Sequence, residues 1–135
     1  MIAKAHEAAS HRLKFRRLPG LYAIVRLASN APIPDWAAQG DFTSITRTAE
    51  ELSIVCPLNG IPKDVSLGPR WICLTLEGPF PFSQTGVLLS FIAPLSNNGI
   101  PIFAVSTYDT DYVLVQEEFQ DGALKVLQSA GHDLR

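Results

Sequence analysis

Histidine, cysteine and charge are all scarce in this chain. Three histidines and two cysteines among 135 residues leave little from which to build a metal centre or a nucleophilic site. His6, His11 and His132 neighbour no cysteine, serine elbow or acidic partner at a recognisable spacing, and His6 and His11 fall in a segment expected to fray. There is no Walker-type phosphate loop, zinc signature or legible pair of catalytic carboxylates. Catalysis is therefore unsupported, and no cofactor or metal is expected. Cys56 and Cys73 both lie in strand-like apolar runs, which reads as two buried thiols in a reducing, cytoplasmic compartment. No apolar stretch reaches the roughly 18 residues of a membrane span, and Met1 to Ser10 is alanine-rich without a secretory core. Charged residues make up 18% and the formal net charge is −2, which argues against nucleic acid as the main partner. The basic cluster Lys14 to Arg17 alternates with Leu13, Phe15 and Leu18, as the solvent face of a strand would.

What the chain has is apolar surface to bury. A hydrophobic fraction of 47% places it among globular domains, as one ordinary domain or two very small ones sharing a core. Leu21 to Leu27 is a strand introduced by Pro19-Gly20. Pro32 to Gly40 has room only for a short helical turn, with Pro34 at its start. Phe42 to Thr48 and Leu52 to Cys56 form a hairpin around Ala49-Glu50, and Pro57 to Pro69 reads as a linker. Trp71 to Glu77 is the next strand. Thr85 to Asn97 follows as a helix with Val87, Leu88, Phe91 and Leu95 on one face and Asn98-Gly99 as its stop. Ile102 to Thr107 and Tyr112 to Gln116 are strands. Phe119 to Ala130 is a second helix, facing inward through Phe119, Ala123, Leu124, Leu127 and Ala130.

The second half repeats the first. Shifting Ile45–Val55 by 60 positions lands on Val105–Val115 without a gap, with Thr46 on Ser106 and Glu51 on Asp111. The earlier strands match at a shift of 50, so about ten extra residues of the second copy fall in its first helix. The chain thus reads as an α+β protein of two ferredoxin-like βαββαβ units, the first abbreviated, with antiparallel sheets and helices on one face. The division expected is 1–66 and 67–135. Only Gly131 to Arg135 remain for a last strand, and Arg12 to Arg17 could supply it from the other end of the chain.

The richest segment is Glu77 to Val87, a strand end running through a polar, glycine-containing loop into a helix. It is answered by Ser106-Thr107-Tyr108-Asp109-Thr110-Asp111. A helix start carries unpaired N–H groups and positive dipole character, which suits a carboxylate, and a nearby Asp suits an ammonium. Together they describe a pocket for a zwitterion, a free amino acid. Each residue also has an ordinary structural role open to it: Ser83 or Thr85 as a helix cap, Gly86 for close packing, Asp111 as a turn residue.

The segments Leu52–Pro57, Glu77-Gly78-Pro79, Phe82–Val87 and Ile102–Val115 resemble the small bacterial tandem ACT-domain proteins, relatives of aspartokinase regulatory domains and of the animal cytosolic arginine sensors. The resemblance covers nearly everything after Leu18. It implies βαββαβ amino-acid-binding regulatory modules that pair side by side, hence a homodimer, a non-catalytic role and a regulated enzyme as a further partner. It places ligand contacts at Phe82, Ser83, Gln84, Thr85, Gly86 and Val87 and at Ser106, Thr107, Tyr108 and Asp111. Where the arginine sensors use an acidic residue toward the ligand side chain, this chain has Gln84. A neutral amide does not balance a guanidinium, so arginine is disfavoured, and a neutral or acidic amino acid is at least as well suited. The alternative is a ligand-free interaction module.

Overall fold

The computed structural model describes residues 11–81 and 83–135. It divides into two compact units. One is Leu18–Ile72. The other joins the N-terminal segment through Arg17 to Cys73–Arg135, so the strand near the N-terminus goes with the C-terminal half.

In the first unit β2 (Tyr22–Leu27) runs antiparallel to β4 (Leu52–Pro57), and β3 (Ser44–Arg47) pairs with the other edge of β4. Threonine sets the β3–β4 turn. The Thr48 N–H donates to the Glu51 carbonyl at 2.9 Å, and its Oγ1 accepts from the N–H groups of Glu50 and Glu51, both at 3.1 Å. Between β2 and β3 the chain makes only a four-residue 3-10 turn, Asp35–Ala38, starting at Pro34. That turn still closes the core. Ala37 is buried with Ala23, Val25, Leu52, Ile54 and Cys56, and Trp36 packs against them.

The second unit begins with β1 (Lys14–Arg17), in which Phe15 is buried while Lys14 and Arg16 are exposed, the period-2 pattern of a half-buried strand. β5 (Trp71–Leu76), β6 (Ile102–Ser106), β7 (Asp111–Gln116) and β8 (Asp133–Leu134) complete its sheet, in the order β6-β7-β5-β1-β8. β1 lies antiparallel to β5, and the two-residue β8 adds parallel to β1. The N-terminal strand therefore stands beside β5 where a ferredoxin-like unit would place its last strand. Helix α1 (Val87–Asn97) follows β5 and helix α2 (Gln120–Ser129) follows β7, and the two helices touch each other. Val87, Phe91 and Leu95 of α1 and Ala123 and Leu127 of α2 are buried. The Phe91 ring meets Phe15 edge-on at 5.1 Å, and each such ring contributes about 1.5–3 kcal/mol through burial.

Local expectations needed adjustment at element ends. The first helix begins at Val87 rather than Thr85 because Gly86 turns left-handed, at φ +79°. The second helix begins at Gln120 rather than Phe119, which closes a separate 3-10 turn, Glu117–Phe119, and Ala130 at its other end is exposed. The repeat is also offset by one from the match expected. The last pair of the first hairpin is Arg47 with Leu52, and that of the second is Ser106 with Asp111; both are 59 positions apart (47 to 106, 52 to 111). Thr48 then falls on Thr107, and both threonines brace their turns in the same way. Composition alone could not distinguish 59 from 60, yet the difference exchanges the two faces of a strand. Arg47, not Thr46, is the counterpart of Ser106, and Leu52, not Glu51, that of Asp111.

Candidate functional site

Within the second unit the β6–β7 turn is pinned to the end of β5. Thr107 donates its N–H to the Thr110 carbonyl at 2.8 Å and its hydroxyl to the same oxygen at 3.0 Å. Thr110 in turn donates its hydroxyl to the Leu76 carbonyl at 2.8 Å, and the Phe80 N–H donates to the Asp109 carbonyl at 3.0 Å. Gly78 makes this approach feasible, since a Cβ there would stand 2.8 Å from the Asp109 carbonyl oxygen and 3.2 Å from the Thr110 Cβ. The Gly78-Pro79 peptide bond is cis.

The result is a cleft of about 420 Å³ between the loop after β5, the start of α1 and the β6–β7 turn. Of the residues singled out from sequence, Gln84, Gly86, Val87, Ser106, Thr107, Tyr108 and Asp111 line it. Ser83 and Thr85 are exposed and are not among its walls. Phe82 lies outside the described residues. Asp111 opens β7 opposite Ser106, which donates its hydroxyl to the Asp111 carboxylate. It is thus a strand residue, held at the cleft by a serine, rather than a turn residue.

The capping role open to Ser83 and Thr85 is not taken. Helix α1 has Gly86 at its N-cap position and no side-chain cap, so its first N–H groups at 87–89 present their partial positive charge without a capping oxygen. Leu88 and Leu89 of that turn line the cleft, as do Phe80, Pro81, Asp109 and Thr110. None of these six was assigned to the site from sequence, and Leu88, expected on the inward face of the helix, is only half-buried. Leu89 carried a signal, being an apolar residue on the outer face of an amphipathic helix, 54% exposed; Asp109 and Thr110 sat unexamined inside the motif already quoted.

Two histidines brace this helix from behind. His11, expected in a fraying segment, donates its N–H to Ser90 Oγ at 2.9 Å, and its Nε2 contacts the Thr85 carbonyl at 3.0 Å. His132 is buried against Phe91. Its Nδ1 accepts from the Leu13 N–H at 3.1 Å, which leaves Nε2–H to donate to the Ser90 carbonyl at 2.9 Å. Position past a helix stop gave no hint of this role.

Among the described residues, no group of three or more His, Cys, Asp or Glu side chains could hold a metal ion. No described helix is long and apolar enough to cross a membrane. Cys56 and Cys73 are buried free thiols, and burial pushes their pKa values up to about 11 and about 12.

Residues 66–129 match the family model of the ACT domain, and residues 20–64 match a separate model of an N-terminal domain. Protein Atu0741 of Agobacterium tumefaciens is 48% identical. Its crystal structure agrees with a TM-score of 0.87 over 93% of this chain and 94% of that one. The human protein named CASTOR3P is 33% identical over 87 residues, 55% of this chain and 53% of that protein. The chain thus spans about half the length of that curated relative. Aspartokinase α and β subunits share the fold, with 16% identity and a TM-score of 0.56 over 89% of this chain and 98% of that one. With two ferredoxin-like units, a family match across the second and a near-full-length relative of the same fold, the chain belongs to the ACT-domain proteins.

Proposed function

We propose that this protein is a non-catalytic regulator that binds a free amino acid in the cleft of its second unit. ACT domains are regulatory modules that bind small ligands, and one observation carries the finer reading: an uncapped helix start and a serine-held Asp111 open into the same cleft. The ligand carboxylate would take the N–H groups at 87–89, and Asp111 the ammonium, with Gln84 and Tyr108 against the side chain. The free thiols support a reducing, cytoplasmic setting.

The test is a thermal-shift screen against the twenty amino acids. A ligand at 100 times its dissociation constant stabilises by about 2.7 kcal/mol, several degrees for a chain of this size. Asp111→Asn keeps the size of the side chain and removes its charge. It should erase the response while the unliganded melting temperature moves little. An undiminished response in that variant rejects the role given to Asp111.

A second reading draws on the rim of the cleft, where Leu89 is 54% and Tyr108 80% exposed. Two large apolar side chains in water suit a face that meets another protein, such as a second copy or a regulated enzyme. Sedimentation of Leu89→Lys would decide it: a shift from dimer to monomer with no amino-acid response in either form favours the interaction module.

A further inference from the structure

The loop after β2 in the first unit already holds a guanidinium. Arg47 ends β3, and its Nη1 donates to the Ser29 carbonyl while its Nη2 donates to the Ala31 carbonyl at 2.8 Å. A planar fork placed on two carbonyls of one loop is a geometry that arginine provides and the point charge of lysine does not. The loop is shaped for it by a turn in which the Ala31 N–H donates to the Ala28 carbonyl at 2.9 Å.

Position 47 is the counterpart of Ser106. In the second unit that position lines the cleft and holds Asp111. In the first, its side chain spans from the hairpin to the loop after the preceding strand, the counterparts of two walls of the cleft in the other copy. The Thr48 and Thr107 turns are braced alike, so the hairpins present the position in the same way. Leu52, fully buried, stands in the place of Asp111, and the short turn starting at Pro34 offers no full helix start.

We infer that Arg47 is the built-in occupant of the first unit's counterpart of the cleft. The Ser29 and Ala31 carbonyls form a guanidinium site, and the described residues carry one ligand site, in the second unit. The count of sites rests on the reading of the cleft proposed above; the guanidinium site stands on its own hydrogen bonds.

The experiment uses the full chain with Arg47→Ala and methylguanidinium as the probe. In the variant, millimolar methylguanidinium should shift the backbone amide resonances of residues 29–31 and raise the melting temperature by a degree or more. In the unaltered protein it should do neither, and methylammonium should fail in both. A folded variant that does not respond, or an equal response from the unaltered protein, overturns the guanidinium site. Arg47→Lys keeps the charge without the fork and serves if Arg47→Ala does not fold. Calorimetric titration with whichever amino acid binds should give one per chain, and none in Asp111→Asn. Two per chain, one of them surviving Asp111→Asn, overturns the single site and leaves the cleft standing. Binding by no amino acid overturns the cleft and the site count with it, and the spectra alone then judge the guanidinium site.

Discussion

The two hairpin turns of this protein share a skeleton and differ in what they hold. Thr48 and Thr107 close their turns with equivalent hydrogen bonds, and each turn reaches toward the end of its neighbouring strand. In the first unit the groups around that turn are Arg47 and Leu52, one spent on loop carbonyls and the other sunk in the core. In the second they are Ser106 and Asp111, hydrogen-bonded to each other and lining a cleft. The connections differ to match, a four-residue 3-10 turn against an eleven-residue helix. A fold used twice thus presents a filled hairpin end in one copy and a cleft in the other, with different residues at two positions and a different connection.

The largest effect should come from forcing the second unit's chemistry onto the first. Leu52→Asp puts a carboxylate without a partner into a fully buried position, at a cost of about 4 kcal/mol or more, enough to leave much of the protein unfolded. The reverse change, Asp111→Leu, falls at a half-buried position and should alter stability by no more than about 1 kcal/mol. Urea midpoints of the two variants check the asymmetry, and equal losses would undo it.

A smaller effect is expected at Gly78→Ala. The added methyl meets backbone rather than a yielding side chain, so a loss of about 1–3 kcal/mol should follow. Because the strain pushes on the 109–110 turn, any amino-acid response should weaken with it. A melting curve unchanged within a degree would mean the turn and the β5 end do not press together as described.

The effect of pH is confined to alkaline solution. Both thiols titrate higher in the folded chain than the ordinary 9.0, Cys56 at about 11 and Cys73 at about 12, because burial disfavours the thiolate. Above pH 9 the unfolded chain loses these protons first, so stability should fall gradually from about pH 9 to 12. Replacing both cysteines with alanine should flatten that part of the profile. A decline equally steep in the double variant would assign it to other groups.

Much of the fold was legible because strand periodicity, Pro-Gly signals and the α1 stripe all follow from local chemistry. Val87, Phe91 and Leu95 point inward as their spacing requires, and the alternation of Leu13, Lys14, Phe15 and Arg16 marked β1 as a strand. The meeting of the Gln84–Val87 segment with the Ser106–Asp111 turn was also foreseeable from topology. Three things were not. The one-residue offset between the hairpins depends on where each threonine turn closes, which a run of alternating residues does not specify. The brace of His11 and His132 on Ser90 is made by hydrogen bonds that span 79 and 42 positions in sequence, with no spacing rule to connect them. Arg47 carried no signal beyond its place in the Phe42 to Thr48 strand, and it acquires its role only when the loop at Ser29 is seen within reach.

The amino-acid site proposed for this protein is one cleft, in the second unit. Amide chemical-shift mapping of the full chain with the amino acid that stabilises it tests this most directly. Shifts should concentrate at residues 84–89 and 106–111, with the counterpart residues 28–36 and 47–52 unmoved. Shifts centred on the first unit, or none in the cleft at a concentration that raises the melting temperature, would contradict it.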